Sequence, residues 1–170
     1  LGMRVVVAAD TPQVAPRLTP LVRRELIRPD KAQFAGEEGY RFRHLLIRDT
    51  AYNALWKENR ADLHERFATW LEQRGQELVE LDEILGYHLE HAARYKHELG
   101  QPDASSAERA GERLAAAGRR ALWRGDERAA AGLLERALAL LRPIRLDVAL
   151  ELDLALAQPT EHESAEVSET

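Results

Sequence analysis

Residues Gly111–Pro143, GERLAAAGRRALWRGDERAAAGLLERALALLRP, decide how this chain is read. Leu114, Ala117, Gly118 and Ala121 recur at the spacing of one helix face, Gly125-Asp126 interrupts, and Ala130, Leu134 and Ala137 resume the period before Pro143. The spacing predicts two helices joined by a turn so short that they must lie antiparallel. Ala117, Gly118, Ala121, Ala130 and Ala137 then mark a seam of small residues, and Leu114, Leu122, Leu133, Leu134 and Leu138 fill the grooves beside it. Gly125 suits the left-handed residue that ends the first helix, and Asp126 can cap the second. A glycine inside a helix costs about 1 kcal/mol relative to alanine, so Gly118 points to a backbone approach that no larger residue permits.

This segment resembles a tetratricopeptide repeat, a unit that binds other chains and rarely catalyses. It departs from that pattern in having Leu114 and Ala121 where the family often places Trp and Tyr, and in stopping at Pro143.

Composition agrees with an all-helical reading. The chain has 170 residues, 45% hydrophobic and only 6% aromatic, rich in Ala and Leu. That length suffices for one ordinary domain or two small ones, burying roughly 70% of the unfolded surface. No run is long enough to span a bilayer, and Leu1 to Asp10 lacks the pattern of a signal peptide, so a cytoplasmic setting is the default. The absence of cysteine excludes disulfides, thiol catalysis and thiolate metal sites. Opening on Leu1 instead of methionine, the chain reads as a piece of something longer.

Along the chain, a first helix is expected from Thr11 or Pro12, firm over Leu18, Leu21, Val22 and Leu26, and ended by Pro29. Tyr40 and Phe42 alternate with Arg41 and Arg43 as in a half-buried strand, and with Leu26-Ile27-Arg28 they predict a hairpin around the polar stretch Asp30 to Gly39. Helices follow over about Leu45–Trp56, Asn59–Arg74 (Leu63, Phe67, Trp70 and Leu71 on one side) and Leu78–Leu99 (Leu81, Leu85, His88, Leu89, Ala92 and Tyr95 on one face). Gly100-Gln101-Pro102-Asp103 reads as a linker, with Asp103 capping the next helix. A final helix from Arg145 to Ala157 lacks a partner helix, and an isolated hairpin plus a half-repeat should leave an apolar end exposed. The last residues, 158–170, are acidic and expected to be disordered.

The fold class that follows is predominantly all-α, built of antiparallel helical hairpins of tetratricopeptide-like solenoid type with a short N-terminal β-hairpin wing. The expected divisions are 1–56, 57–100, 101–157 and the tail 158–170.

The order of these elements, with Phe42-Arg43-His44 through Tyr52, Leu63-His64-Glu65-Arg66 and Tyr87-His88-Leu89-Glu90, resembles a bacterial arrangement. It is similar to the region after the nucleotide-binding core of multidomain signalling ATPases of the STAND and AAA type, often attached to class III adenylate or guanylate cyclases or to transcription regulators. The resemblance implies a winged-helix-like subdomain passing into tetratricopeptide-like repeats, with a role in signal transduction through protein–protein and interdomain contacts. The resemblance implies ATP only in an absent upstream domain: no Gly-x-x-x-x-Gly-Lys-Ser/Thr phosphate loop occurs here, so no cofactor is expected in this chain.

Candidate residues follow from charge and exposure. Trp123, near the Gly125 turn, with Arg119, Arg120 and Arg124, is a candidate partner contact for a protein or peptide. Residues 17–48 hold eight Lys or Arg against four Asp or Glu. There Arg23, Arg24, Arg28, Arg41 and Arg43 are candidates for nucleic-acid or interdomain contact, the overall charge of −5 opposing the former. His88 and His91, with Glu90 or His97, lack the set that a metal needs, and His88 is read as a packed core residue with His91 and His97 at the surface. His44 is expected to cap or pack. His64-Glu65 is not expected to act as an acid–base pair, since adjacent helix residues diverge, and Ser105, Ser106, Ser164 and Ser168 fall in linker or tail. The expectation is a non-catalytic chain.

Overall fold

Alternating side chains build the N-terminal part of the molecule. The computed structural model describes residues 4–7, 14–31 and 38–158, which fall into two compact units, Leu1–Trp56 and Lys57–Thr170. The first unit contains β1 (Arg4–Val7), α1 (Val14–Arg23), β2 (Ile27–Asp30), β3 (Glu38–Phe42) and α2 (Leu45–Asn53). The hairpin of β2 and β3 pairs Ile27 with Phe42, Arg28 with Arg41 and Pro29 with Tyr40, so Tyr40 and Phe42 share a face with buried Ile27, and Arg41 faces the other way. Pro29 lies within β2 instead of ending a helix.

The sequence did not foretell β1, which pairs antiparallel along the far edge of β3 to give the order β1-β3-β2. Four residues bearing three valines are too short a pattern to separate from a loop. Between α1 and β2 the backbone turns through Glu25 at φ 58°, a conformation that non-glycine residues rarely adopt. His44 holds the extended N-cap position of α2 without a side-chain cap hydrogen bond.

The second unit is a stack of five helices: α3 (Lys57–Arg74), α4 (Leu81–Glu98), α5 (Ala104–Trp123), α6 (Glu127–Leu141) and α7 (Val148–Ala157). Successive helices run antiparallel, leucines of one entering spaces left by glycines of its neighbour. A Cβ built on Gly118 would lie 2.7 Å from Leu134 Cγ, one on Gly111 2.5 Å from Leu141 Cγ, and one on Gly86 2.7 Å from Leu114 Cγ. The contact at Gly118 is therefore with a side chain and not, as the sequence suggested, with backbone. Ala117, Gly118, Ala121, Ala130 and Ala137 are all buried in this seam. Gly125 ends α5 at φ 74°.

Asp103, Asp126 and Asp147 cap α5, α6 and α7 by accepting from backbone amides of Ser105 and Ser106, of Ala129, and of Leu150. Helices two apart are joined by ion pairs: Glu72 of α3 with Arg109 and Arg113 of α5, Glu90 of α4 with Arg136 of α6, and Arg119 of α5 with Asp153 of α7. Small-residue seams between neighbours and guanidinium bridges between alternates thus place α3, α5 and α7 in one layer, α4 and α6 in the other.

Leu63 departs from the sequence reading. It is 48% exposed, and His64 takes the buried position beside it. The expected helix start at Thr11 and Pro12, most of the Asp30–Gly39 loop, and the acidic tail beyond Gln158 lie outside the described residues.

Candidate interaction surfaces

The chemistry-bearing side chains of the helical stack gather in three places. At the α3–α4 interface, His64 Nδ1 and His88 Nδ1 stand 2.9 Å apart, one donating to the other. Phe67 and Tyr87 pack on His88, with ring centroids at 4.5 and 5.2 Å. Burial, reinforced by the neighbouring His88 and His91, lowers His64 to about 3, and burial with His91 nearby lowers His88 to about 4. Both rings are neutral near pH 7. His91 Nδ1 donates to Tyr87 O at 2.9 Å, its ring half-buried, and burial pulls its pKa down as well. Among the described residues no group of three or more His, Asp or Glu side chains is arranged to hold a metal ion.

In the last turn of α4, Lys96 Nζ donates to Glu65 Oε2 at 2.6 Å and to Asp103 Oδ2 at 2.7 Å. Ser106, read from sequence as linker, is buried in the first turn of α5, and its hydroxyl lies 2.7 Å from Asp103 Oδ2. Hydrogen bonds from Lys96 and Ser106 hold the Asp103 carboxyl far below the usual carboxylate range. For Lys96, burial opposes the charge but the two carboxylates outweigh it and raise the pKa. The cluster ties the middle of α3 to the C-terminal end of α4 and the N-terminal end of α5. Glu65 turns to Lys96 and not to His64, as expected of adjacent helix residues.

The third gathering is an open cleft whose lining includes Glu72, Asp82, Arg109 and Arg113. Asp82 accepts from Arg113 at 2.8 Å and from Arg120. Burial raises its carboxyl, but these two arginines overcome that effect and lower it.

The sequence candidates fall into two groups. Trp123 is 93% exposed at the end of α5, and Arg124 beside it is exposed at the helix C-cap. Arg119 and Arg120 instead pair with Asp153 and Asp82. In the first unit Arg23, Arg24 and Arg28 are exposed, while Arg41 pairs with Asp30 at 3.1 Å and Arg43 with Glu25 at 3.3 Å. The backbone register puts Arg4, Arg41 and Arg28 in one row across the sheet. His97 is exposed and Trp70 buried. Ser164 and Ser168 lie outside the described residues.

Sequence reasoning missed two features. The histidine pair joins residues 24 positions apart and needs the helix pairing to be seen. The outward face of α7, with Val148, Leu152 and Leu156 exposed, shows only once Leu150 and Ala157 are seen to be the positions buried on the opposite side. Among the described residues no helix is long and apolar enough to cross a membrane. No protein-family model matches the chain, and no curated protein or solved structure matches it either.

Proposed function

We propose that this chain is a non-catalytic regulatory and scaffolding element. In this reading its helices are of tetratricopeptide type and recognise a helix or peptide, while the winged-helix-like first unit links that event to the ATP-binding core of a cytoplasmic signalling ATPase. The observation that carries the reading is Trp123, a large aromatic ring standing in water on a rigid hairpin where core packing has no use for it. Arg124 beside it supplies a cation for an acidic residue of the ligand. The polar groups of the stack support the same view, because His64, His88, Lys96, Asp103 and Ser106 are engaged with one another.

Fluorotryptophan labelling gives one resonance for each of Trp56, Trp70 and Trp123, and a panel of amphipathic helical peptides with acidic flanks is the probe. The expected result is a shift of the Trp123 resonance with at least one peptide, and an affinity roughly tenfold or more lower in Trp123→Ala. Peptide binding that leaves that resonance in place and survives the substitution sinks the reading.

A second reading, nucleic-acid contact through the sheet, is favoured by Arg28 and Arg41 paired in register across β2 and β3, with exposed Arg43 just beyond. It requires duplex DNA binding that weakens steeply with salt and is lost in Arg41→Ala with Arg43→Ala. Absence of binding at low salt removes it.

A further inference from the structure

The last helix of the stack leaves one face bare. In α7, Leu150 and Ala157 turn inward, whereas Val148, Leu152 and Leu156 stand 60%, 61% and 73% exposed. Ala149 and Ala155 are exposed beside them. At about 100° per residue these five positions span an arc of roughly 120° centred on Leu152. Glu151 and Asp153 border the arc on its two sides, and both charges are met within the chain. Arg142 donates to Glu151 at 2.8 Å and Arg119 to Asp153 at 2.6 Å. The face is therefore an uncharged apolar strip between two neutralised borders.

The strip reads alike in both directions from Leu152. Val148 and Leu156 lie four residues away, Ala149 and Ala155 three, Glu151 and Asp153 one. A surface with that spacing meets a reversed copy of itself in the same register about a two-fold axis. With Leu152 on the axis and the second helix reversed, Val148 of one copy faces Leu156 of the other. The alanines let the backbones approach, and the two helix dipoles run in opposite directions.

We propose that α7 is a self-association surface whose occupant is a second copy of this chain, packed antiparallel about Leu152. Because each border acid is neutralised by its own arginine, two copies meet without like-charge repulsion. Three large side chains contribute roughly 60–120 Å² each, short of the ~800 Å² per partner of a standard interface, so the association is weak and concentration-dependent. It is independent of the Trp123 reading: α7 pairing fails or holds whatever Trp123 contacts.

The chain has no cysteine, so single thiols report geometry directly. Val148→Cys and Leu156→Cys chains mixed in equal amounts and mildly oxidised should give a disulfide-linked heterodimer several-fold in excess of the homodimer from either alone, and Leu152→Cys should link to itself. In sedimentation velocity the unsubstituted chain should shift from monomer towards dimer as concentration rises, and Leu152→Glu should stay monomeric with its helical circular dichroism and melting unchanged. A chain that remains monomeric at the highest concentrations overturns the proposal and leaves α7 to another kind of partner. Leu152→Glu dimerising like the unsubstituted chain overturns it too, as does homodimer from each end-cysteine variant without heterodimer.

Discussion

The α5–α6 and α3–α4 interfaces share one antiparallel geometry and are made of opposite materials. Between α5 and α6 Leu134 sits over Gly118 and Leu141 over Gly111, and the buried cluster there holds only alanine and leucine. Between α3 and α4, by contrast, the central contact is polar: His64 against His88, wrapped in Phe67, Tyr87 and Tyr95. The first interface depends on shape and is indifferent to pH. The second depends on two imidazoles remaining uncharged. A steric substitution should therefore break one, and a proton the other.

The larger effect belongs to the glycine seam. In Gly118→Val the first added carbon would lie 2.7 Å from Leu134 Cγ, and the branch has no free space to enter. Overpacking of this kind is expected to cost about 3 kcal/mol and to lower Tm by roughly 10 °C. Gly132 sharpens the test, because it sits in α6 with nothing within 4 Å of a built Cβ. Gly132→Ala should stabilise by about 0.5–1 kcal/mol through helix propensity alone, while Gly118→Ala should destabilise despite the same gain. Thermal melts of the two alanine variants moving in the same direction would show that the seam is looser than the side-chain contacts indicate.

This contrast also explains what could be read from the sequence. The α5–α6 seam is local: its small residues recur within one stretch, the turn between its helices is three residues long, and Gly125 and Asp126 announce it. The caps at Asp103 and Asp126 and the β2–β3 alternation are likewise short-range signals and were legible, whereas the cap at Asp147 was not read. The histidine pair spans 24 residues. His88 lies on an apolar stripe that any helix could bury, and His64 sits one position from Leu63, which a hydrophobic scale places inside first. What decided between them was the partner helix, which offers aromatic rings and a second imidazole there. Trp123 was legible as a site candidate because a turn rarely buries a large ring. The outward face of α7 required knowing which side α6 already covers.

The smaller effect is that of pH on the α3–α4 interface, and its sign follows from the protons bound. In the unfolded chain both imidazoles titrate near 6.5; in the fold His64 is lowered to about 3 and His88 to about 4. Between those limits the unfolded state binds protons that the folded state refuses, so stability falls as pH drops below 6.5. The slope is at most about 1.4 kcal/mol per pH unit for each histidine, and the pair, being coupled and only partly dry, should lose about 2 kcal/mol in all. The ion-paired carboxylates are shifted in the same direction but act in a lower pH window. Asp82 and Asp103 are lowered from values near 4, so their contribution is complete above that range and is lost only on further acidification. Denaturant melts at pH 7, 6 and 5 therefore isolate the histidines. In His64→Phe with His88→Phe the decline between pH 6.5 and 4.5 should flatten, while Gly118→Ala should keep it unchanged. If the double substitution retains the full slope, protonation is entering elsewhere and the α3–α4 interface is not the acid-sensitive joint of the stack.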